Sequence, residues 1–256
     1  MRGQALVDHG RLLEVLGMEG ELLGEITHAV QPDIPVTTCP GWTTGELLRH
    51  VGSVYRVALG WLADGRQPTE WQREPVRGQT LEEYLETGYA ALFAELSRHD
   101  PGERAGSWWP ADRTYGFWCR RMVHETVVHR VDAQQAATPD QVSPVDEDIA
   151  ADGADEALAL WFAQRLPMLG LTGTRAGSVG VRAGGHNWIA RAGPAETTAW
   201  RCSPAEAEMA DGFVSGTAEK VYLWMWGRQP WWSVTLDGHD DDAVGQLWAL
   251  LRLATR

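Results

Sequence analysis

Lysine is almost missing from this 256-residue chain: Lys220 is the only one among 22 basic residues. An arginine-for-lysine bias of this kind reflects a genome rich in G and C and says nothing about mechanism. Basic charge is scarce altogether, with 22 basic against 35 acidic residues and a net charge of -13. That excludes general binding to nucleic acid or an anionic membrane, which needs a basic footprint. It leaves room for a local basic pocket that takes a small acidic substrate. Cysteine is scarce too. Cys39, Cys119 and Cys202 are far apart and odd in number, so neither a disulfide framework nor a CxxC site is expected. No apolar run reaches the length of a membrane span. The start of the chain, with Asp8, Glu14 and Glu19 close behind it, lacks the basic beginning and apolar core of a signal peptide. A cytoplasmic location is the expectation. Serine nucleophile elbow, P-loop and dinucleotide glycine fingerprint are all absent.

What is present is an ordinary globular composition, 44% hydrophobic and 22% charged, enough to build a proper core. Tryptophan is abundant, at 14 residues. Pairs such as Trp108-Trp109 and Trp231-Trp232 suggest pocket walls as well as core.

The first half reads as helices. Leu12, Leu13, Leu16, Leu22, Leu23 and Ile26 follow a helical rather than alternating pattern between about Gln4 and Val30. Pro32, Pro35 and Pro40 break the chain. Thr43-Thr44-Gly45-Glu46 is a capping box that opens a helix to about Leu62, with Trp42 placed to staple onto Leu47. Thr80-Leu81-Glu82-Glu83 opens another, to about Arg98, and a fourth runs from about Phe117 to Ala137. Four such helices suggest an antiparallel bundle, whose core can build a metal site from facing helices. After the linker Pro139 to Pro144, Asp146 to Leu166 reads as one more helix despite Gly153. The texture then changes. Ser178–Arg182, Trp188–Arg191, Thr197–Arg201 and Trp232–Leu236 are short and β-like, while Gly216–Trp226 and Asp241–Arg252 look helical. The expected division is a helical domain over 1–142, a connecting helix over 143–170 and a small α+β domain over 171–256.

The fourth helix carries the chemistry. Glu125, His129 and Asp132 stand at i, i+4 and i+7, which puts two carboxylates and an imidazole on one face. Trp118, Met122 and Ala136 continue that stripe and suggest that it faces the core. Buried carboxylate and imidazole groups need partners, and one divalent metal would satisfy both; a surface Glu-His pair that supports the helix is the alternative. Asp132 could orient His129 or contribute to an open side of the site. His124 points about 100° away from Glu125 and reads as a packed or surface histidine. His50, among Leu47, Val51, Val54 and Ala58, reads as inward-facing, either a hydrogen-bonded core residue or a third ligand. Two His and one Glu with a free position is a catalytic zinc arrangement rather than a structural one. Cys119 reads as a buried structural thiol and Cys39 as packing at the mouth of the second helix. Arg228 follows Gly227 at the end of a helix, where it either caps that helix or aims a guanidinium at a substrate carboxylate.

Several of these segments resemble one family. Cys39-Pro40-Gly41-Trp42-Thr43 with Leu47-Leu48-Arg49-His50, the run Arg120 to Asp132, Ala151 to Glu156, and Gly216-Thr217-Ala218-Glu219 through Trp226-Gly227-Arg228 are similar to motifs of the mycothiol-dependent maleylpyruvate isomerase family. The resemblance covers nearly the whole chain. It implies an α+β fold: a DinB-like four-helix bundle followed by a small sterol-carrier-like α+β domain. It implies the metal ligands His50, Glu125 and His129, and a functional arginine at Arg228. It further implies a divalent metal, expected to be zinc, and mycothiol as cofactor. Val131 departs from the pattern, since many members carry tryptophan there, which bears on the neighbouring pocket and so on the substrate. The expected activity is activation of a low-molecular-weight thiol for attack on a small electrophile, giving cis-trans isomerisation or thiol transfer, with Asp132 and Arg228 as catalytic residues. Metal-assisted hydrolysis through activated water and non-enzymatic binding of a small ligand are the competing readings.

Overall fold

Each helix of the first half starts at a side-chain cap. In the computed structural model, which describes residues 4–71, 73–238 and 240–255, the helices are α1 (His9–Ala29), α2 (Thr44–Asp64), α3 (Leu81–Arg98) and α4 (Tyr115–Ala137). Asp8 caps α1 by accepting the Arg11 N–H at 3.0 Å. Thr43 and Glu46 form a reciprocal capping box on α2, and Thr80 and Glu83 form one on α3. Thr114 accepts the Phe117 N–H at 3.2 Å to open α4. Such caps satisfy backbone donors that a helix leaves unpaired and stabilise by about 0.5–2 kcal/mol each.

Packing then decides the bundle. Leu16, Leu47, Val51, Leu92, Leu96, Val123 and Val127 are fully buried. Each such side chain contributes about 1.5–3 kcal/mol, against about 0.2–1 kcal/mol for an exposed ion pair such as Arg11–Glu14, so the apolar core dominates. Helix α1 packs on α3 and α4, and α2 packs on α3 and α4. At Gly52 of α2 a Cβ would lie 2.7 Å from the Tyr84 ring of α3, so the close approach of these helices needs glycine. Helix α4 is buried on almost its whole circumference, His124 included.

The chain divides into two compact units: Asp8–Ser143, which is the bundle, and Met1–Val7 together with Pro144–Arg256. The second unit claims the first described residues: the Leu6 N–H donates to Asp152 Oδ1 at 2.5 Å, and Arg201 Nη2 donates to the Gln4 carbonyl at 2.5 Å. Residues 4–8 are therefore not helical, contrary to the pattern-based expectation.

In this unit α5 (Glu147–Glu156) continues through a π-helical stretch (Ala157–Arg165) into a last turn, α6 (Leu166–Met168). The strands are β1 (Gly177–Ala183), β2 (His186–Ala192), β3 (Thr197–Arg201), β4 (Gly212–Gly216) and β5 (Thr235–Gly238), in the order β3-β2-β1-β4-β5. Strand β1 pairs antiparallel with β2 and parallel with β4. The remaining helices are α7 (Pro204–Glu208), α8 (Ala218–Met225) and α9 (Asp241–Ala254). The sheet thus follows the helices in the chain, which makes the fold α+β as expected.

Two expectations fail locally. Gly216, read as part of the helix that follows it, instead ends strand β4, and that helix starts at Ala218. Gly212 opens β4 where a Cβ would lie 2.8 Å from Val244, and a glycine at each end of a five-residue strand hides its alternation. Trp232–Leu236 is not one strand: Trp231–Ser233 is a 3₁₀ turn and β5 starts at Thr235. Trp231 and Trp232 are exposed, whereas Trp109 is core. Among the described residues no helix is long and apolar enough to cross a membrane.

Candidate metal centre

Helices α2 and α4 set the site. The Tyr55 hydroxyl lies 2.8 Å from Thr126 Oγ1, and Thr126 donates its own proton to the Met122 carbonyl at 2.7 Å. Tyr55 is therefore the donor. This buried bond ties the two helices together beside His50 and Glu125, and burial first of all pushes the Tyr55 phenol far above its usual pKa.

Within that frame His50 from α2 and His129 from α4 converge on one carboxylate oxygen. His50 Nε2 lies 3.2 Å and His129 Nε2 lies 3.3 Å from Glu125 Oε1. The three ligand atoms all lie within 4.8 Å of one another. The other oxygen, Glu125 Oε2, accepts from Arg121 Nη2 at 2.5 Å. One oxygen thus faces the histidines while the second is held by a guanidinium one helical turn away. Burial alone would raise the Glu125 pKa. The hydrogen bond and charge of His129, the bond to His50 and the charge of Arg121 outweigh it and hold the carboxyl well below the usual range.

His129 is oriented from behind. Its Nδ1 lies 2.9 Å from Asp132 Oδ2. Asp132 is fully buried and also accepts from Thr38 Oγ1 at 2.6 Å and from Cys39 Sγ at 3.4 Å. A carboxylate behind an imidazole fixes the ring and its tautomer, leaving Nε2 to face the site. Burial would lower the His129 pKa, but the bonds to Asp132 and Glu125 outweigh it and raise it. Three donors of N and O type converging on one point, one of them oriented by a buried carboxylate, fit a divalent metal. Among the described residues, buried His50 Nδ1 has no hydrogen-bond partner.

Cys39, His129 and Asp132 form a second possible ligand group. There, however, Asp132 Oδ2 already takes both the imidazole and the thiol, which accounts for those atoms without an ion. A third group, His28, Glu82 and Glu86, lies on the surface.

Aromatic rings surround the histidines. Trp42 lies 4.8 Å from the His50 ring and is stacked at 6.3 Å from His129, centroid to centroid. Trp71 meets His50 edge-on at 5.8 Å. None of Thr38, Trp42, Trp71 and Arg121 was singled out by sequence as part of the site. Arg121 carried a signal, since it stands four residues before Glu125. Trp71, in the loop between α2 and α3, carried none.

Arg228 belongs to the second unit and Cys119 to the buried part of α4. Arg228 Nη1 donates to the Trp226 carbonyl at 2.7 Å, and its backbone N–H donates to the Leu223 carbonyl at 2.7 Å. With Gly227 at φ 72°, this is a helix C-terminus closed by a left-handed residue. Cys119 is fully buried, and burial pushes its thiol up to about 12.

Comparison with known proteins places these features. Residues 20–134 match the family model described as mycothiol maleylpyruvate isomerase N-terminal domain; that segment contains His50, Glu125, His129 and Asp132. Among curated proteins no sequence matches. Two solved structures are similar, a mycothiol-dependent maleylpyruvate isomerase and a histidine-to-alanine mutant of it. Each has a TM-score of 0.58 and 14% identity, over 90% of this chain and 93% of the other. At that identity the likeness is one of fold. The likeness to the mycothiol maleylpyruvate isomerase N-terminal domain model thus lies within the helical unit, over residues 20–134.

Proposed function

We propose that the protein is a metal-dependent enzyme that activates mycothiol for attack on a small electrophile, with cis-trans isomerisation of a maleylpyruvate-type substrate as the outcome. The observation that carries this reading is the convergence of His50 Nε2 and His129 Nε2 on Glu125 Oε1. These three residues would hold the metal, with zinc the expected ion, and two His and one carboxylate leave a coordination position open. When bound, the metal lowers the pKa of a thiol so that it is a thiolate at neutral pH.

The chain's own residues do the rest. Asp132 holds His129 in one orientation, and Arg121 holds Glu125 so that one oxygen faces the histidines. Trp42 lies against both imidazoles, at 4.8 Å from the His50 ring and 6.3 Å from the His129 ring. In the reaction the thiolate sulfur would bond to an alkene carbon conjugated to a carbonyl, the alkene's electron pair would move onto the carbonyl oxygen as an enolate, and the former double bond, now single, would rotate. Breaking the carbon–sulfur bond then restores the thiolate and leaves the trans alkene, with no oxidant or reductant consumed. An adduct that persists is thiol transfer. Arg228, which the family resemblance offers for a substrate carboxylate, has its Nη1 on the Trp226 carbonyl at the end of its own helix. Asp132 is assigned to positioning His129, because both its oxygens are engaged and it is fully buried. That also counts against a hydrolase with Asp132 as base.

The test is isomerisation of maleylpyruvate by zinc-loaded protein with and without mycothiol. Turnover that requires mycothiol and is lost in His50→Ala supports the reading. Equal turnover without a thiol, or in a variant that holds no metal, would sink it.

A further inference from the structure

Trp71 is 43% exposed, and an indole left in water forgoes much of the stabilisation that burial would bring. Its position is nonetheless specified. It meets the His50 ring edge-on at 5.8 Å. Just beyond it the Arg73 N–H donates to Ser53 Oγ of α2 at 3.2 Å, and Ser53 in turn donates to the Arg49 carbonyl at 2.7 Å. Arg49 Nη1 also bonds Glu74 Oε1 at 2.5 Å, and Arg73 Nε bonds the Glu70 carbonyl at 3.3 Å. The loop is thus fastened to α2, the helix of His50, on the far side of Trp71. An exposed aromatic pinned in this way beside a donor set is what a binding surface requires: apolar area at low entropic cost, held before the ligand arrives.

We propose that Trp71 binds the ring body of the thiol whose sulfur reaches the metal centre, and so sets which thiol the site accepts; this rests on the mycothiol reading above. Mycothiol joins an N-acetylcysteine head to a body of two saturated six-membered rings. The C–H faces of such rings pack on an indole, whereas a small thiol reaches the centre without touching it. Trp71 is then a specificity residue and not a metal ligand.

Calorimetric titration of the zinc-loaded full chain with mycothiol and with N-acetylcysteine tests this without turnover. Wild type should bind mycothiol more tightly than N-acetylcysteine. Trp71→Ala should keep its zinc, lose about tenfold in mycothiol affinity, the size of one aromatic contact, and bind N-acetylcysteine as before. Trp71→Phe should recover most of the loss. An equal loss for both thiols, no loss for either, or loss of zinc from Trp71→Ala would overturn the inference while the thiol-binding reading stands. If wild type binds neither thiol, that reading fails and the inference falls with it.

Discussion

His129 Nδ1 lies 2.9 Å from Asp132 Oδ2, three residues on along the same helix. That contact fixes the ring of a histidine on a buried helix face, so that Nε2 points toward Glu125. Replacing Asp132 with Asn keeps the volume and removes the charge. The expected result is a metal affinity weakened about 10–100-fold, the usual effect of losing the partner behind a ligand, with the fold retained. Competition with a chelator of known affinity measures it.

Arg130 is fully buried and bidentate to Glu19, with Nε to Oε2 at 2.6 Å and Nη2 to Oε1 at 3.0 Å. This pair ties α4 to α1 one residue beyond His129. Arg130→Met leaves Glu19 buried without its charge partner and should cost about 3–5 kcal/mol in a denaturant titration. Glu19→Leu combined with Arg130→Met should recover most of that. A single variant as stable as wild type would show that the pair does not hold the helices.

Cys119 is fully buried, and burial pushes its thiol up to about 12. Native protein treated with a thiol-modifying reagent at pH 8 should therefore carry no label on Cys119, and denatured protein should carry it, as peptide mass spectrometry would show. Labelling in the native state would mean that this part of α4 opens.

Asp211 accepts from both the Ser178 N–H and the Ser178 hydroxyl, at 2.8 and 2.7 Å. These bonds hold its carboxyl below the usual range. A depressed folded-state pKa contributes stability above the unfolded pKa, and that contribution is lost as pH falls through the folded value. Asp211→Asn should therefore be less stable than wild type at neutral pH, by a small margin because the group is solvent-screened. The difference should shrink on acidification below the usual carboxylate range. Thermal unfolding of both proteins across that range checks the sign.

The bundle was legible because its signals are local. Capping boxes at Thr43 and Thr80 and leucine spacing along α1 and α3 mark helices without reference to the rest of the chain. The spacing of Glu125 and His129 likewise survives any tertiary detail. Other features depend on distant partners. Residues 4–7 do not continue α1, and the Leu6 N–H and Gln4 carbonyl are bonded to Asp152 and Arg201, while strand β4 is defined by its pairing with β1 and β5. The site shows the same division. Arg121 could be read from its helical offset to Glu125, whereas Thr38 and Trp71 reach Asp132 and His50 only through loop paths that no periodicity announces.

The central claim is that His50, Glu125 and His129 hold one divalent metal. Elemental analysis of wild type and Glu125→Ala, both purified without added metal and then incubated with zinc and dialysed, tests it directly. The account predicts about one ion per wild-type chain, as a three-ligand site with an open position requires, and none in the variant. A wild type that takes up no zinc, or a variant that keeps it, would contradict the account.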